Sequence, residues 1–128
     1  MAVFVLDQLF RIMDKNEIIQ RLSKSKFRSK FILDSKMNLY IKEKGMNQIE
    51  NHASDFVKSR IAPENIPNDG KQTPFKSHPV FVAQHATATC CRKCINKWHK
   101  IAKNRELTLE EQNYIVELIM DWIKKNIN

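Results

Sequence analysis

Glycine and proline are scarce in this chain of 128 residues, with 2 and 4 copies respectively. An all-β protein needs frequent turns, and turns draw heavily on these two residues, so their scarcity argues against that class. The sequence also lacks any run of about 20 apolar residues, the length that a membrane-spanning helix requires. Its first residues have neither the basic segment nor the small-residue cleavage site of a signal peptide. We therefore expect one cytoplasmic, helical domain that has no membrane partner.

The motifs of several enzyme classes are missing as well. The sequence contains no Walker loop, no dinucleotide-binding fingerprint, no HExxH motif and no Ser-His-Asp order. Catalysis by another arrangement stays open, so the sequence does not decide whether this protein is an enzyme. Cysteine occurs three times, and an odd number does not suit a secreted disulfide scaffold. A reducing compartment explains the free thiols more simply.

Periodic apolar residues predict an all-α domain of about five helices. Asn16 can cap the first of them, and Asp34 or Ser35 can cap another that ends near Gly45. A further helix is expected over residues 47–61. The prolines, together with Asn, Asp and Gly residues, gather in residues 62–79. That composition predicts one long irregular loop.

The last helix has the strongest pattern in the chain. Thr108 and Glu111 form a capping box, and lysines follow near the other end. Apolar residues cover a wide arc of this helix, at Ile115, Val116, Leu118, Ile119, Met120, Trp122, Ile123 and Ile127. Such an arc predicts a helix at the centre of the fold. A face covered by a second copy of the chain is the alternative, which makes a homodimer through the C-terminal helix a candidate assembly.

Residues 1–12 are predicted to be an extension that precedes the domain. Met13 is followed by a segment that could itself begin a protein, so the helical domain is expected to occupy residues 13–128. The alternative is a short N-terminal helix, because Val5, Leu9 and Ile12 could share one helical face.

Two segments of the chain are basic and contain no acidic residue. The formal net charge of the chain is +8, and an excess of cations suggests an acidic partner, most often nucleic acid. The candidate phosphate-binding residues are Arg21, Lys24, Lys26, Arg28 and Lys30 in the first segment, and Arg92, Lys93, Lys97 and Lys100 in the second. The two segments form one positive surface only if they pack together. Otherwise the cations are solvated side chains without a partner.

Phe27 and Phe31 lie among the cations of the first segment. They are four residues apart, so on a helix they share a face. Their rings could stack on bases. We instead expect both rings to anchor in the core, because an isolated phenylalanine on the surface is costly.

All three cysteines and three of the four histidines lie within residues 78–101. On a helix that begins at Thr89, the sulfurs of Cys90, Cys91 and Cys94 fall within an arc of about 100°. Together with His85, these cysteines are candidate ligands of zinc or of an iron–sulfur site. The pattern is incomplete, because tetrahedral zinc usually takes two ligand pairs and the chain has a single CxxC.

Two other interpretations of the cysteines remain open. A cysteine in the first turn of a helix can be a reactive thiolate, since the helix dipole lowers the pKa of its thiol. Alternatively, the three thiols are reduced, buried and inert, and His85 donates to a backbone carbonyl.

The sequence as a whole resembles a bacterial domain-of-unknown-function family, numbered four-one-eight-six. The resemblance runs over about residues 18–123 and rests on the segments SKFRSKF, NDGKQTP, HPVFVAQHATATCCRKCINKWH and RELTLEEQNYIVELIMDWI. It implies a compact intracellular domain and assigns no activity, cofactor or catalytic residue. Two hypotheses about function follow from the residues themselves. The first is a small nucleic-acid-associated binding protein, and the second is a metal- or thiol-dependent enzyme centred on the cysteine and histidine cluster.

Overall fold

The structure is a computed structural model, and it describes residues 15–128. These residues form helices and no strand, so the all-α prediction is confirmed. The number of helices is about seven rather than five. The predicted extension, residues 1–12, lies outside the described residues, and so does Met13.

The helices are short except for the last one. They are α1 over residues 15–23, α2 Lys26–Ser29, α3 Ser35–Lys44, α4 Met46–Phe56, α5 Pro79–Ala86, α6 Arg92–His99 and α7 Leu109–Asn126. A π-helical turn, Val57–Ile61, extends α4. The helix α1 already includes residue 15, so Asn16 does not cap it.

The helices α3 and α4 form the predicted hairpin. The side chain of Asp34 caps α3 by accepting a hydrogen bond from the N–H of Met37 at 2.8 Å. Gly45 ends α3 and precedes α4 with φ of 84°. A residue with a Cβ rarely adopts that backbone conformation, so glycine suits this junction.

The helix α5 was not predicted, because it is apolar apart from Gln84 and His85 and so has no polar face to reveal a helical period. Pro79 occupies its first turn, where a missing N–H costs nothing. His78 supplies the cap, since its Nδ1 atom accepts a hydrogen bond from the N–H of Val80 at 3.0 Å. All eight residues of α5 are buried.

The helix α7 lies at the centre of the fold, packed against α4 and α5. Ile115, Ile119 and Ile123 on its inner face are fully buried. The predicted capping box is present, and the Arg105 guanidinium adds two hydrogen bonds of 2.7 Å to the Glu111 carboxylate. The wide apolar arc therefore serves the core of the chain. The homodimer through this helix stays a prediction.

A smaller apolar cluster packs α1, which leads into the first basic segment, against α6, which carries the second. Ile18 and Leu22 of α1 pack with Ala88, and Cys94 and Trp98 of α6 lie against them. The first basic segment is thereby brought next to the cysteine-containing part of the chain. None of the described helices is long and apolar enough to cross a lipid bilayer.

Candidate functional site

The helix α6 begins at Arg92, three residues after the start at Thr89 that was considered for the cysteines. Cys91 is its N-cap residue, with extended backbone, and the Cys91 Sγ accepts a hydrogen bond from the N–H of Cys94 at 3.4 Å. The start of the helix is fixed by Asp69, whose carboxylate accepts from the N–H groups of Arg92 at 2.9 Å and Lys93 at 3.1 Å. A carboxylate in this position satisfies free N–H groups and complements the helix dipole.

The three sulfurs nevertheless converge, in what we call the thiol cluster: Cys90, Cys91 and Cys94. Their Sγ atoms all lie within 4.8 Å of one another. Cys90 and Cys91 are buried and Cys94 is half-buried, and none of them forms a disulfide. Thr73 holds the backbone of the cluster, because its hydroxyl donates to the Cys90 carbonyl at 2.7 Å. This group of thiols could hold a metal ion.

Arg28 extends from α2 into the thiol cluster. Its Nη2 donates to the Cys94 Sγ at 3.1 Å, and its Nη1 donates to the Cys90 Sγ at 3.6 Å and to the His85 carbonyl at 2.8 Å. Only 8% of Arg28 is exposed. The side chain of Ser25 caps α2 by accepting from the Arg28 N–H at 3.2 Å. A buried guanidinium therefore faces the sulfurs directly.

The pKa values of the three thiols are shifted in different directions. Hydrogen bonds from the Cys90 and Cys91 thiols, together with those from Arg28, hold the pKa of Cys94 far below its usual range despite burial. The pKa of Cys90 moves the other way, because Cys91, Cys94 and burial all favour its protonated form. These hydrogen bonds favour Cys94 as the thiol that ionises first, next to the Arg28 cation.

His85 lies apart from the converging sulfurs. Its Nε2 hydrogen-bonds to the carbonyls of Thr73 at 3.0 Å and Pro74 at 3.2 Å, so this nitrogen carries the proton. The imidazole stacks on Phe75 with ring centroids 4.2 Å apart. Burial lowers the pKa of His85, which keeps the ring neutral. Of the four predicted metal ligands, the three cysteines come together, whereas His85 positions the loop that precedes Phe75.

Two of the predicted phosphate-binding residues belong to the interior. Arg28 serves the thiol cluster, and Arg92 is only 4% exposed. Arg92 donates to the carbonyls of Ile61 at 3.3 Å, Pro63 at 3.2 Å and Ala102 at 2.6 Å. Ile61 and Pro63 lie where the π-helical turn ends and Ala102 lies after α6, so Arg92 ties that turn to the segment after α6. A basic surface cannot include either guanidinium while these bonds hold.

The other seven predicted phosphate-binding residues are exposed: Arg21, Lys24, Lys26, Lys30, Lys93, Lys97 and Lys100. The structure brings the two segments to which they belong into contact. The guanidinium carbon of Arg21 in α1 lies 5.8 Å from the ring centroid of Trp98 in α6. This is the packing on which a joint positive surface depends.

Three residues of the long loop have roles that the sequence did not suggest. Asp69 fixes the start of α6, Thr73 holds the Cys90 carbonyl, and Phe75 covers His85. Local turn signals placed them in a loop, but their partners lie ten or more residues further along the chain. No local pattern could have identified those partners.

A comparison with protein families accounts for most of the chain. A family model described as a domain of unknown function, DUF4186, matches residues 16–124. No solved structure matches the chain. The matched residues contain the thiol cluster, Arg28, His85 and both basic segments. Because the match covers most of the sequence, the predicted resemblance is confirmed and the chain belongs to the DUF4186 family.

Proposed function

We propose that this protein binds nucleic acid through a basic surface made by its two basic segments. The observation that carries the proposal is the contact of Arg21 with Trp98, because it joins α1 to α6. Without that contact, the two groups of cations would be separate features of the sequence. With it, cations from both segments flank the same junction.

The chemistry of this surface suits a phosphate backbone. Lys24 and Lys97 are exposed. Lys24 follows Arg21 by three residues, and Lys97 directly precedes Trp98. The chain carries a formal charge of +8. Lysine and arginine side chains that neutralise phosphates release condensed counterions, which favours binding at low salt. Contacts of this kind provide affinity and position rather than base specificity.

Replacing both Lys24 and Lys97 with alanine is expected to weaken binding to a fluorescent oligonucleotide by about tenfold near 50 mM salt. Each lost phosphate contact should also reduce the slope of log affinity against log salt by about 0.7 for single strands. Fluorescence anisotropy at a series of salt concentrations measures both quantities. A variant with Lys42→Ala and Lys58→Ala is the matched control, because those lysines are exposed, lie in α3 and the π-helical turn, and remove the same charge.

Equal losses in the two double variants would mean that net charge, and not this surface, attracts the oligonucleotide. Failure of the unaltered protein to bind any oligonucleotide in a salt-dependent manner would refute the proposal outright.

A second candidate function is a thiolate metal centre, which the convergence of the three Sγ atoms favours. Sulfurs that share a tetrahedral zinc ion lie about 3.8 Å apart, since each bond is about 2.3 Å. Three thiolates around a divalent ion carry a net charge of −1, and Arg28 would neutralise that charge. Within residues 15–128 no fourth ligand joins this group, so a fourth ligand would have to come from outside this part of the chain.

If the thiol cluster holds a metal, protein purified without added metal or chelator is expected to contain about one zinc or iron ion per chain. The Cys94→Ser variant should lose that ion. The His85→Gln variant should keep it, because the His85 Nε2 already bonds to two carbonyls. Elemental analysis and an absorption spectrum provide the readout. A metal-free protein with three titratable thiols would exclude the centre.

A further inference from the structure

Two phenylalanine side chains near the thiol cluster are unusually exposed. Phe75 in the long loop is 58% exposed and Phe27 in α2 is 41% exposed. Their ring centroids lie 6.5 Å apart with the ring planes nearly perpendicular. Large apolar side chains that remain this open beside one another can mark a surface that a partner covers.

One face of the Phe75 ring packs against the imidazole of His85. It stacks on the imidazole of His85 at 4.2 Å with the planes 14° apart, and Phe31 lies nearly parallel to it at 6.4 Å. His85 in turn bonds to the carbonyls of Thr73 and Pro74, the two residues before Phe75. The loop therefore presents the Phe75 ring in a fixed orientation, and little side-chain freedom remains to be lost on binding.

Cations lie beside this pair of rings. The Lys30 Nζ is 4.6 Å and the Arg28 guanidinium carbon 4.9 Å from the ring centroid of Phe27, so cations already lie over that ring. Lys26 and Lys76 are exposed neighbours of the two phenylalanines in sequence. A partner for this surface therefore needs flat apolar faces and negative charges at short intervals. Unpaired bases joined by phosphates have both, whereas a duplex hides the faces of its bases.

We infer that the exposed ring of Phe75, with Phe27 edge-on beside it, forms an aromatic platform on which bases of single-stranded nucleic acid stack, while Lys26, Lys30 and Lys76 contact the adjacent phosphates. This inference rests on the proposed function and adds to it the class of nucleic acid and the site of base contact. The platform requires no particular base, because every base has a π-face. The protein should therefore prefer unpaired strands with little sequence preference.

The test compares a fluorescent 20-nucleotide single strand with the duplex of the same sequence. Phe75→Leu is expected to weaken single-strand binding at least about fivefold while leaving duplex binding and the salt slope unchanged. Leucine keeps an apolar side chain but cannot stack, so the loss reports stacking. The Phe75→Trp variant should bind the single strand as tightly as the unaltered protein does, because an indole ring can also stack on a base. Leu109→Ala is the matched control, because Leu109 is 71% exposed at the start of α7 and its loss should leave binding unaltered.

Each outcome has a distinct meaning. If the Lys24 and Lys97 double variant loses binding but Phe75→Leu binds like the unaltered protein, the platform is refuted and the basic surface stands. If the unaltered protein binds neither probe, both proposals fail. Binding to vesicles of anionic lipid that depends on Phe75, without binding to oligonucleotides, would assign the platform to a membrane surface and overturn the inference. Thermal unfolding of each variant shows whether the loop has kept its fold.

Discussion

Replacing Arg28 with alanine is expected to lower the free energy of unfolding by about 3 kcal/mol. The substitution removes the cation beside the Cys94 sulfur and the 2.8 Å hydrogen bond to the His85 carbonyl, which keeps a longer bond of 3.4 Å from the Ala88 N–H. Loss of a charged partner in a buried setting leaves part of the desolvation cost of these groups uncompensated. Protonation of Cys94 would relieve part of this loss, so the pKa of Cys94 should rise in the variant.

Urea denaturation measures the loss of stability, and Lys26→Ala provides the control. Lys26 lies in the same four-residue helix as Arg28 but is exposed, so its removal should change stability by no more than about 0.5 kcal/mol. Arg28→Lys should be intermediate at best, because a single ammonium group cannot reproduce the planar, forked geometry of a guanidinium. Similar stabilities of the Arg28→Ala and Lys26→Ala variants would show that the interior does not depend on this cation.

Mild acid is expected to destabilise the fold through its buried, neutral histidines, among which His78 and His99 have the largest shifts and His85 acts in the same direction. His78 accepts a hydrogen bond at Nδ1 from the Val80 N–H, so its proton lies on Nε2 and is donated to the Nδ1 of His52 at 3.0 Å. His99 hydrogen-bonds through Nε2 to the Thr87 carbonyl at 2.8 Å, and its Nδ1 accepts from the Tyr114 hydroxyl at 3.0 Å. Neither ring can take a second proton without breaking a hydrogen bond.

The sign of this effect follows from the pKa values. Burial lowers the pKa of both His78 and His99 to about 4, from an ordinary value of 6.5. The unfolded chain therefore takes up these protons at a higher pH than the folded protein does. The stability that the neutral rings contribute is fully present above about pH 6.5 and is lost as the pH falls through about 4. At about 1.4 kcal/mol per pKa unit, each histidine accounts for a loss of roughly 3 kcal/mol.

Urea unfolding at several pH values between 7 and 5 measures the slope of stability with pH. Glu111 does not interfere there, because hydrogen bonds from Arg105 and Thr108 overcome its burial and lower the pKa of its carboxyl to about 2. Its contribution is lost between pH 4.5 and about 2. The His78→Asn variant should retain a helix cap and have a shallower slope, since asparagine caps well and does not titrate. Equal stability at pH 7 and pH 5 in the unaltered protein would contradict the prediction.

Features set by neighbouring residues could be predicted from the sequence. The capping box of Thr108 and Glu111, the cap at Asp34 and the junction at Gly45 all depend on residues within four positions of one another. The helix α5 was missed because its burial on all sides leaves no polar face, so no periodicity was available to mark it.

The candidate site could be predicted in part. Composition drew attention to Cys90, Cys91 and Cys94, but a regular helix was the wrong reason for their convergence. The sulfurs meet because Cys91 caps α6 and Cys90 lies in the turn before it. Arg28 could not have been separated from the solvated cations around it, because its partners lie 57 to 66 residues away. The expectation that Phe27 is a core residue also fails, since that ring remains substantially exposed.

The bond between Arg28 and Cys94 has a consequence for how this sequence can change. Loss of Cys94 would leave the Arg28 Nη2 buried without its sulfur acceptor, and loss of the arginine would leave the Cys94 sulfur buried without its cation. Either substitution on its own is costly, whereas both together can restore a neutral interior. The two positions, 66 residues apart in the chain, are therefore expected to be inherited or replaced as a pair.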